Sequence, residues 1–259
     1  MKLPIYQVDA FTSKVFGGNP AAVIPLEEWI DEKILQNIAL ENNLSETAFF
    51  VEENSGYKIR WFTPTAEVDL CGHATLASAY VLFNHLNFNK DILEFNSRSG
   101  KLIVEKDNSL ISLNFPARVP KEVDKDKILI EALGVEPDKI LFNKTLVAVY
   151  SNENIVRQMK PDIRKFLELE THGVIITAPG NRVDFVSRFF APDVGIDEDP
   201  VTGYAHTLLA PFWAEELNKT KLTALQVSKR GGELFCEIID DRVIIKGEGK
   251  LYMKGEIEI

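Results

Sequence analysis

Cysteine is scarce in this sequence: 259 residues hold two, Cys71 and Cys236. Two cysteines so far apart make neither a disulfide framework nor a zinc-ligand spacing. Basic residues are outnumbered, 29 Lys and Arg against 39 Asp and Glu, for a net charge of -10. Nucleic acid and anionic membrane both call for basic patches, so neither is an expected partner. A small anionic substrate stays compatible, because a local site can be positive on a negative protein. No apolar run is long enough to span a bilayer and no signal-peptide pattern opens the sequence, so a reduced cytoplasm is the expected compartment. The phosphate loop ending in Gly-Lys-Ser/Thr is missing, as is the Gly-x-Gly-x-x-Gly dinucleotide fingerprint.

What is present is repetition. Arg60-Trp61-Phe62-Thr63-Pro64 returns in the second half of the chain as Arg188-Phe189-Phe190-Ala191-Pro192. Each copy leads through an acidic loop to a glycine, Gly72 or Gly203, that opens an apolar helix; the second loop is the longer one. Ser99-Gly100-Lys101-Leu102-Ile103-Val104-Glu105 likewise returns as Gly231-Gly232-Glu233-Leu234-Phe235-Cys236-Glu237. Two segments in the same order, each displaced by about half the chain, predict a duplicated domain rather than a solenoid. The break at Phe115-Pro116-Ala117-Arg118-Val119-Pro120 puts the boundary there, giving domains 1–118 and 119–259. The strand from Lys250 to Ile259 can stay with the second half or cross to the first.

Each half reads as several strands of mixed connection plus one helix apolar on most faces, an α+β pattern. Such a helix has to be wrapped, and a curved sheet around it would do so. Glu46 lies at the entry of the apolar, β-prone run Thr47 to Val51, where a carboxylate is costly unless paired or used. It reads either as a strand-end acid reaching solvent or as a working group. The displacement that relates the two halves carries Glu46 onto Gly173-Val174, so the acid has no second copy. A residue present in one half only is a candidate for chemistry, and the shared ones are candidates for architecture.

The two helix starts, at Cys71-Gly72 and Thr202-Gly203, are potential anion sites, because unpaired N–H groups and the helix dipole favour a carboxylate. Cys71 reads as a small buried residue or as a thiol activated by the helix start. A racemase with two thiol bases is disfavoured, since Thr202 holds the matching position. His73 can donate to an anion or shuttle a proton, or be satisfied by local backbone. Glu198 and Asp199 read as helix caps, and Asp199 also as a group that orients His73 or Glu46. Gly17-Gly18-Asn19-Pro20 reads as a turn.

Asp9-Ala10-Phe11, Gly18-Asn19-Pro20-Ala21, Ser45-Glu46-Thr47, Phe62-Thr63-Pro64, Cys71-Gly72-His73-Ala74-Thr75-Leu76 and Glu198-Asp199-Pro200-Val201-Thr202-Gly203, as an ordered set spanning nearly the whole chain, resemble the PhzF family of phenazine-biosynthesis isomerase-like proteins. The resemblance implies a diaminopimelate-epimerase-like fold: two similar domains, each a sheet around a central helix, with the active site between them. It implies isomerisation of a small carboxylate without cofactor or metal, and a homodimer. By match to the motifs, Glu46 is the implied catalytic acid/base, with His73 and Asp199 beside it. Gly72 would supply a backbone donor and Ser45 would contact the substrate carboxylate. Asn19, Gly203 and Tyr204 complete the implied substrate contacts. Tyr204 is a departure, standing at a position that looks like serine in the phenazine isomerase, so the phenazine precursor is not the expected substrate. The rival readings are a Cys71-dependent epimerase or dehydratase, and a binding protein that kept the site and lost turnover.

Overall fold

The computed structural model describes residues 1–53 and 56–259. In chain order the elements are β1 (Lys2–Ala10), β2 (Asn19–Leu26), α1 (Glu32–Asn42), β3 (Glu46–Glu53), β4 (Gly56–Phe62), β5 (Glu67–Val68), α2 (Gly72–His85), β6 (Ile92–Ser97), β7 (Gly100–Asp107) and β8 (Leu110–Pro116). Then follow β9 (Lys121–Val123), α3 (Lys127–Leu133), β10 (Lys139–Phe142), β11 (Leu146–Val149), α4 (Glu153–Gln158), β12 (Val174–Pro179), β13 (Phe185–Ala191) and β14 (Ile196–Asp199). The last are α5 (Gly203–Leu217), β15 (Lys221–Gln226), β16 (Gly232–Ile239), β17 (Arg242–Gly247) and β18 (Gly249–Glu258). They form two compact units, residues 1–114 with 246–259, and residues 115–245. The C-terminal strand β18 is thus part of the first unit, where it runs antiparallel to β1 along its whole length. No helix among the described residues is long and apolar enough to cross a membrane.

The duplication is visible in the pairing. In the first unit β1–β2 is antiparallel, β2–β3 parallel, β3–β4 antiparallel, β4–β6 parallel and β6–β7 antiparallel. In the second unit β10–β11, β11–β12, β12–β13, β13–β15 and β15–β16 repeat that sequence of senses. Each unit also hangs a short strand on the same neighbour, β5 on β4 and β14 on β13.

The repeated arginine explains itself as architecture. Arg60 binds Glu67 of β5 through Nε and Nη2, at 2.7 and 2.6 Å, and lies over the Phe62 ring. Arg188 binds Glu198 of β14 in the same two-pronged way, at 2.6 and 2.9 Å, and lies over Phe190. A planar guanidinium grips a carboxylate with two parallel bonds and stacks on an aromatic face, which pins the acidic loop before each helix start. Glu198 is therefore a partner of Arg188.

The central helices are buried all round, as their composition demands. In α2, Ala74, Leu76, Ala77, Ala79, Val81 and Leu82 are all at most 1% exposed, and the helix packs against β1, β2, β3, β7 and β18. Its polar members back-bond to the preceding turn, Thr75 to the Cys71 carbonyl and Ser78 to that of Ala74. In α5, Pro211 has no N–H for the Thr207 carbonyl. The Arg118 backbone N–H donates to that oxygen instead, at 3.0 Å.

The opposite face of each sheet carries a second core. In the first unit Leu35 and Ile38 of α1 pack with Ala22, Ile24, Phe49 and Phe62. In the second, Leu129, Leu133, Val156 and Phe166 pack with Ile176 and Phe190. Strands buried on both faces are why their sequences read as unbroken apolar runs. The segment from Ile163 to Glu168 is a 3-10 helix, and α4 precedes it, capped by Asn152 onto the N–H groups of Asn154 and Ile155.

Candidate active site

Three elements of the first unit converge on His73. The imidazole stands one residue inside α2, 6% exposed. Its Nε2 lies 3.0 Å from Glu46 Oε2 at the start of β3. Its Nδ1 lies 3.5 Å from Cys71 Sγ and 3.3 Å from Asn19 Nδ2, at the start of β2. Parallel pairing sets Ala21 beside Glu46, which brings the first residues of β2 and β3 to one edge. The α2 start arrives there because β4 ends at Phe62 and the short β5 turns the chain back.

The Nε2–Oε2 approach is close enough for an ion pair without the alignment of a hydrogen bond. Neither buried atom has a hydrogen-bond partner. Unsatisfied polar atoms of this kind are costly and cluster where a ligand completes them. At the mouth of α2, Cys71 as the N-cap makes no side-chain bond to the first turn, so the helix N–H groups are not masked by a capping side chain.

The electrostatics separate the two readings of Cys71. Burial pushes its thiol up to about 11, and the neighbouring Glu46 charge adds to this. The helix start, which lowers thiol pKa values at exposed sites, loses here to desolvation, so the thiol is neutral at physiological pH. Burial also acts to depress His73. The adjacent Cys71 and Glu46 outweigh it and hold the imidazole well above the usual histidine range. A doubly protonated ring donates from both nitrogens. Nδ1–H then goes to Cys71 Sγ or, after a half-turn of the amide, to Asn19 Oδ1.

The second unit holds a different constellation. Asp199 ends β14, is 6% exposed, and accepts the hydroxyl of Thr202. Gln226 ties the same loop down: its Oε1 accepts the Thr202 N–H at 2.9 Å, and its Nε2 donates to the Asp199 carbonyl at 2.8 Å. Thr202 is the N-cap of α5 and makes no side-chain cap bond. Asp199 thus holds a hydroxyl, and Glu198 holds an arginine. His206 Nδ1–H donates to the Thr202 carbonyl, 2.8 Å away, and burial holds its pKa down at about 4. It is a neutral core histidine against the Phe185 ring.

Gly203 is buried at the α5 start. Tyr204, half-buried beside it, is covered by the Arg118 guanidinium, 4.4 Å above the ring centroid. Its hydroxyl is 3.5 Å from Thr145 Oγ1. Ser45 is half-buried in the bend that leads into β3. Glu46, His73 and Asn19 therefore meet in one unit, with Gly72 between Cys71 and His73, whereas Asp199, Gly203 and Tyr204 belong to the other. The contact of Asn19 with His73 was not legible as such; the motif gave it only as a substrate contact. Gln226 and Arg118 were missed, since nothing in their neighbours in sequence marks them.

Pairing registers explain why Glu46 has no twin. Thr47 faces Phe62 in β4, and Val174 faces Phe190 in β13. Phe62 and Phe190 are the same residue of the repeated Arg-aromatic-Phe motif, so the position matching Glu46 is Gly173. There φ is +148°, and an added Cβ would meet the Phe189 ring and the Phe190 carbonyl at 2.8 Å. The second unit cannot carry a side chain at that point.

A repeated α+β unit wrapping an apolar helix defines the epimerase-like class of fold. A hydroxyproline epimerase of Agrobacterium vitis shares it with a TM-score of 0.61 over 99% of this chain and 92% of its own, at 9% identity. The chain belongs to the phenazine biosynthesis-like protein family, PhzF, whose family model matches residues 8–255. A PhzF-family crystal structure from Enterococcus faecalis superposes with a TM-score of 0.99 at 48% identity, covering 100% of both chains. An uncharacterized isomerase of Pseudomonas aeruginosa is 47% identical over 259 residues, 100% of both chains. The chain is thus a PhzF-family protein with an epimerase-like fold.

Proposed function

We propose that this protein is a cofactor-independent isomerase of a small carboxylate, in which Glu46 moves a proton between two carbons of one molecule. The observation that carries this reading is the buried Glu46–His73 pair, at 3.0 Å and incompletely hydrogen-bonded. Glu46 as carboxylate takes the proton from carbon. The imidazolium of His73 beside it offsets the charge that builds on the substrate as the proton leaves. Glu46, now a carboxylic acid, returns the proton to the second carbon, so no group other than the substrate changes over the cycle. The uncapped first turn of α2, with the Gly72 N–H, favours the substrate carboxylate. The isomerase name of the P. aeruginosa relative agrees with this class of reaction.

The test is proton NMR in deuterated water against a panel of small cyclic and amino carboxylates. The wild-type chain should place deuterium at one carbon of its substrate. Glu46→Gln should abolish this, by roughly 10²-fold or more, with an unchanged unfolding transition. Full exchange in Glu46→Gln would reject the assignment. Cys71→Ala serves as the second arm. A neutral buried thiol is a poor base, so exchange should survive within about tenfold; its complete loss would favour the thiol-dependent epimerase.

A further inference from the structure

The repeated arginine is covered differently in the two units. In the second, Arg188 holds Glu198 through Nε and Nη2, and its Nη1 donates to the Val156 and Met159 carbonyls at 3.2 and 2.7 Å. In the first, Arg60 holds Glu67 through Nε and Nη2, and Nη2 also reaches Glu32 at 2.6 Å. Its Nη1 has no hydrogen-bond partner among the described residues. In place of covering carbonyls, Arg60 lines a cavity of about 270 Å³ together with Trp29, Glu32, Lys58, Ser97 and Arg98. Three cations there meet two carboxylates, on a chain whose net charge is -10. Glu67 is shared by Arg60 and Arg98, each at 2.6 Å, and the Glu32 side chain is 65% exposed, so its ion pair is weak. Lys58 has no ion pair among the described residues. A cleft with positive charge in excess and guanidinium donors to spare attracts an oxyanion.

We propose that this cavity binds a small oxyanion of the phosphate class, at a site separate from that of Glu46. Arg60 shares its face of β4 with Phe62, which packs with Leu35 and Ile38 of α1. Thr47 accepts a bond from Asn42 of α1, so Glu46, the residue before it, faces the other side of the sheet. The anion does for Arg60 Nη1 what the Val156 and Met159 carbonyls do for Arg188. Arg98, in the turn between β6 and β7, adds a second guanidinium fork, and Lys58 adds a point charge. Three cations suit phosphate better than a carboxylate, since phosphate offers more acceptor oxygens and a larger charge. The cavity is smaller than the roughly 300–1,000 Å³ of a drug-sized pocket. Its ligand is therefore inorganic phosphate or the phosphate end of a larger molecule. The site does not depend on the isomerase reading.

Trp29 provides a local readout, because the Arg60 guanidinium lies 5.5 Å from its ring centroid. The chain has three tryptophans, and Trp29→Phe identifies which indole N–H signal in a two-dimensional NMR spectrum is that of Trp29. Inorganic phosphate titrated into the full-length chain, with ionic strength held constant by sodium chloride, should shift this signal saturably. Lys58→Ala and Arg98→Ala should each weaken the binding by about tenfold, as expected for loss of one charged partner. Both side chains are exposed, and the rest of the spectrum shows that each variant is folded. Arg230→Ala, at the same place in the other copy of the repeat, should bind as the wild type does. Sodium acetate should bind at least about tenfold more weakly than phosphate. Methyl phosphate run in parallel tells the source. An ester that binds as well or better assigns the phosphate end of a larger molecule, and a weaker one assigns the inorganic ion. Absence of a saturable Trp29 shift, a shift matched by acetate, or full affinity retained in either Lys58→Ala or Arg98→Ala overturns the site.

Discussion

Glu46 sits 3.0 Å from His73, yet it comes from a strand separated from α2 by two others in the chain. The consequence at the scale of single residues is a protonated histidine inside the protein. His73 has a folded value raised above the 6.5 of an ordinary histidine. Its contribution to stability is therefore complete below about 6.5 and is lost as the pH rises through the folded value. Ring carbon-proton shifts of His73 should stay in the imidazolium range at neutral pH. In Glu46→Gln the midpoint should fall, because burial is then opposed by Cys71 only. Titration of His73 at or below the ordinary range in the wild type would remove the charge pair on which the mechanism stands.

Elements carry the next level of argument, and there the duplicated strands β3 and β12 differ at one decisive point. Glu46 opens the first, and Gly173 holds the matching place before the second. Gly173→Ala should destabilise the second unit by roughly 1–3 kcal/mol, because the Phe189 ring and the Phe190 backbone stand where the methyl would go. Urea unfolding measures this, and a change below about 0.5 kcal/mol would mean that the register assignment is wrong. The helix starts differ in the same spirit. The α2 start meets a histidine paired to an acid, and the α5 start meets a tyrosine stacked under Arg118. One scaffold has thus been kept by its repeated arginine grips while the residues at its two helix mouths diverged.

At the scale of the whole molecule, the first unit is closed by the last strand of the chain. β18 pairs with β1 over its full length, and it also packs on α2. Ending the chain before Gly249 should therefore strip β1 of a complete antiparallel neighbour and expose Ile5 and Val8 from the core. The expected outcome is loss of the folded first unit, read as collapse of its amide signals in two-dimensional NMR and rapid proteolysis within residues 1–114. Retention of those signals would show that β18 is dispensable.

The sequence alone determined the duplication, the apolar helices and the family, because these live in local pattern: repeated short motifs, unbroken hydrophobic runs and glycines at helix starts. It also marked Glu46 as singular, since an acid without a twin is a statement about spacing. Tertiary structure alone decided that Asn19 and Cys71 meet His73 at one nitrogen while Glu46 meets it at the other. It also decided that Glu198 belongs to Arg188 and that the chain end returns to its beginning. Those contacts depend on which strands lie side by side, and on desolvation that turns a helix-start thiol neutral. Neither pairing order nor burial is written in any one stretch of residues.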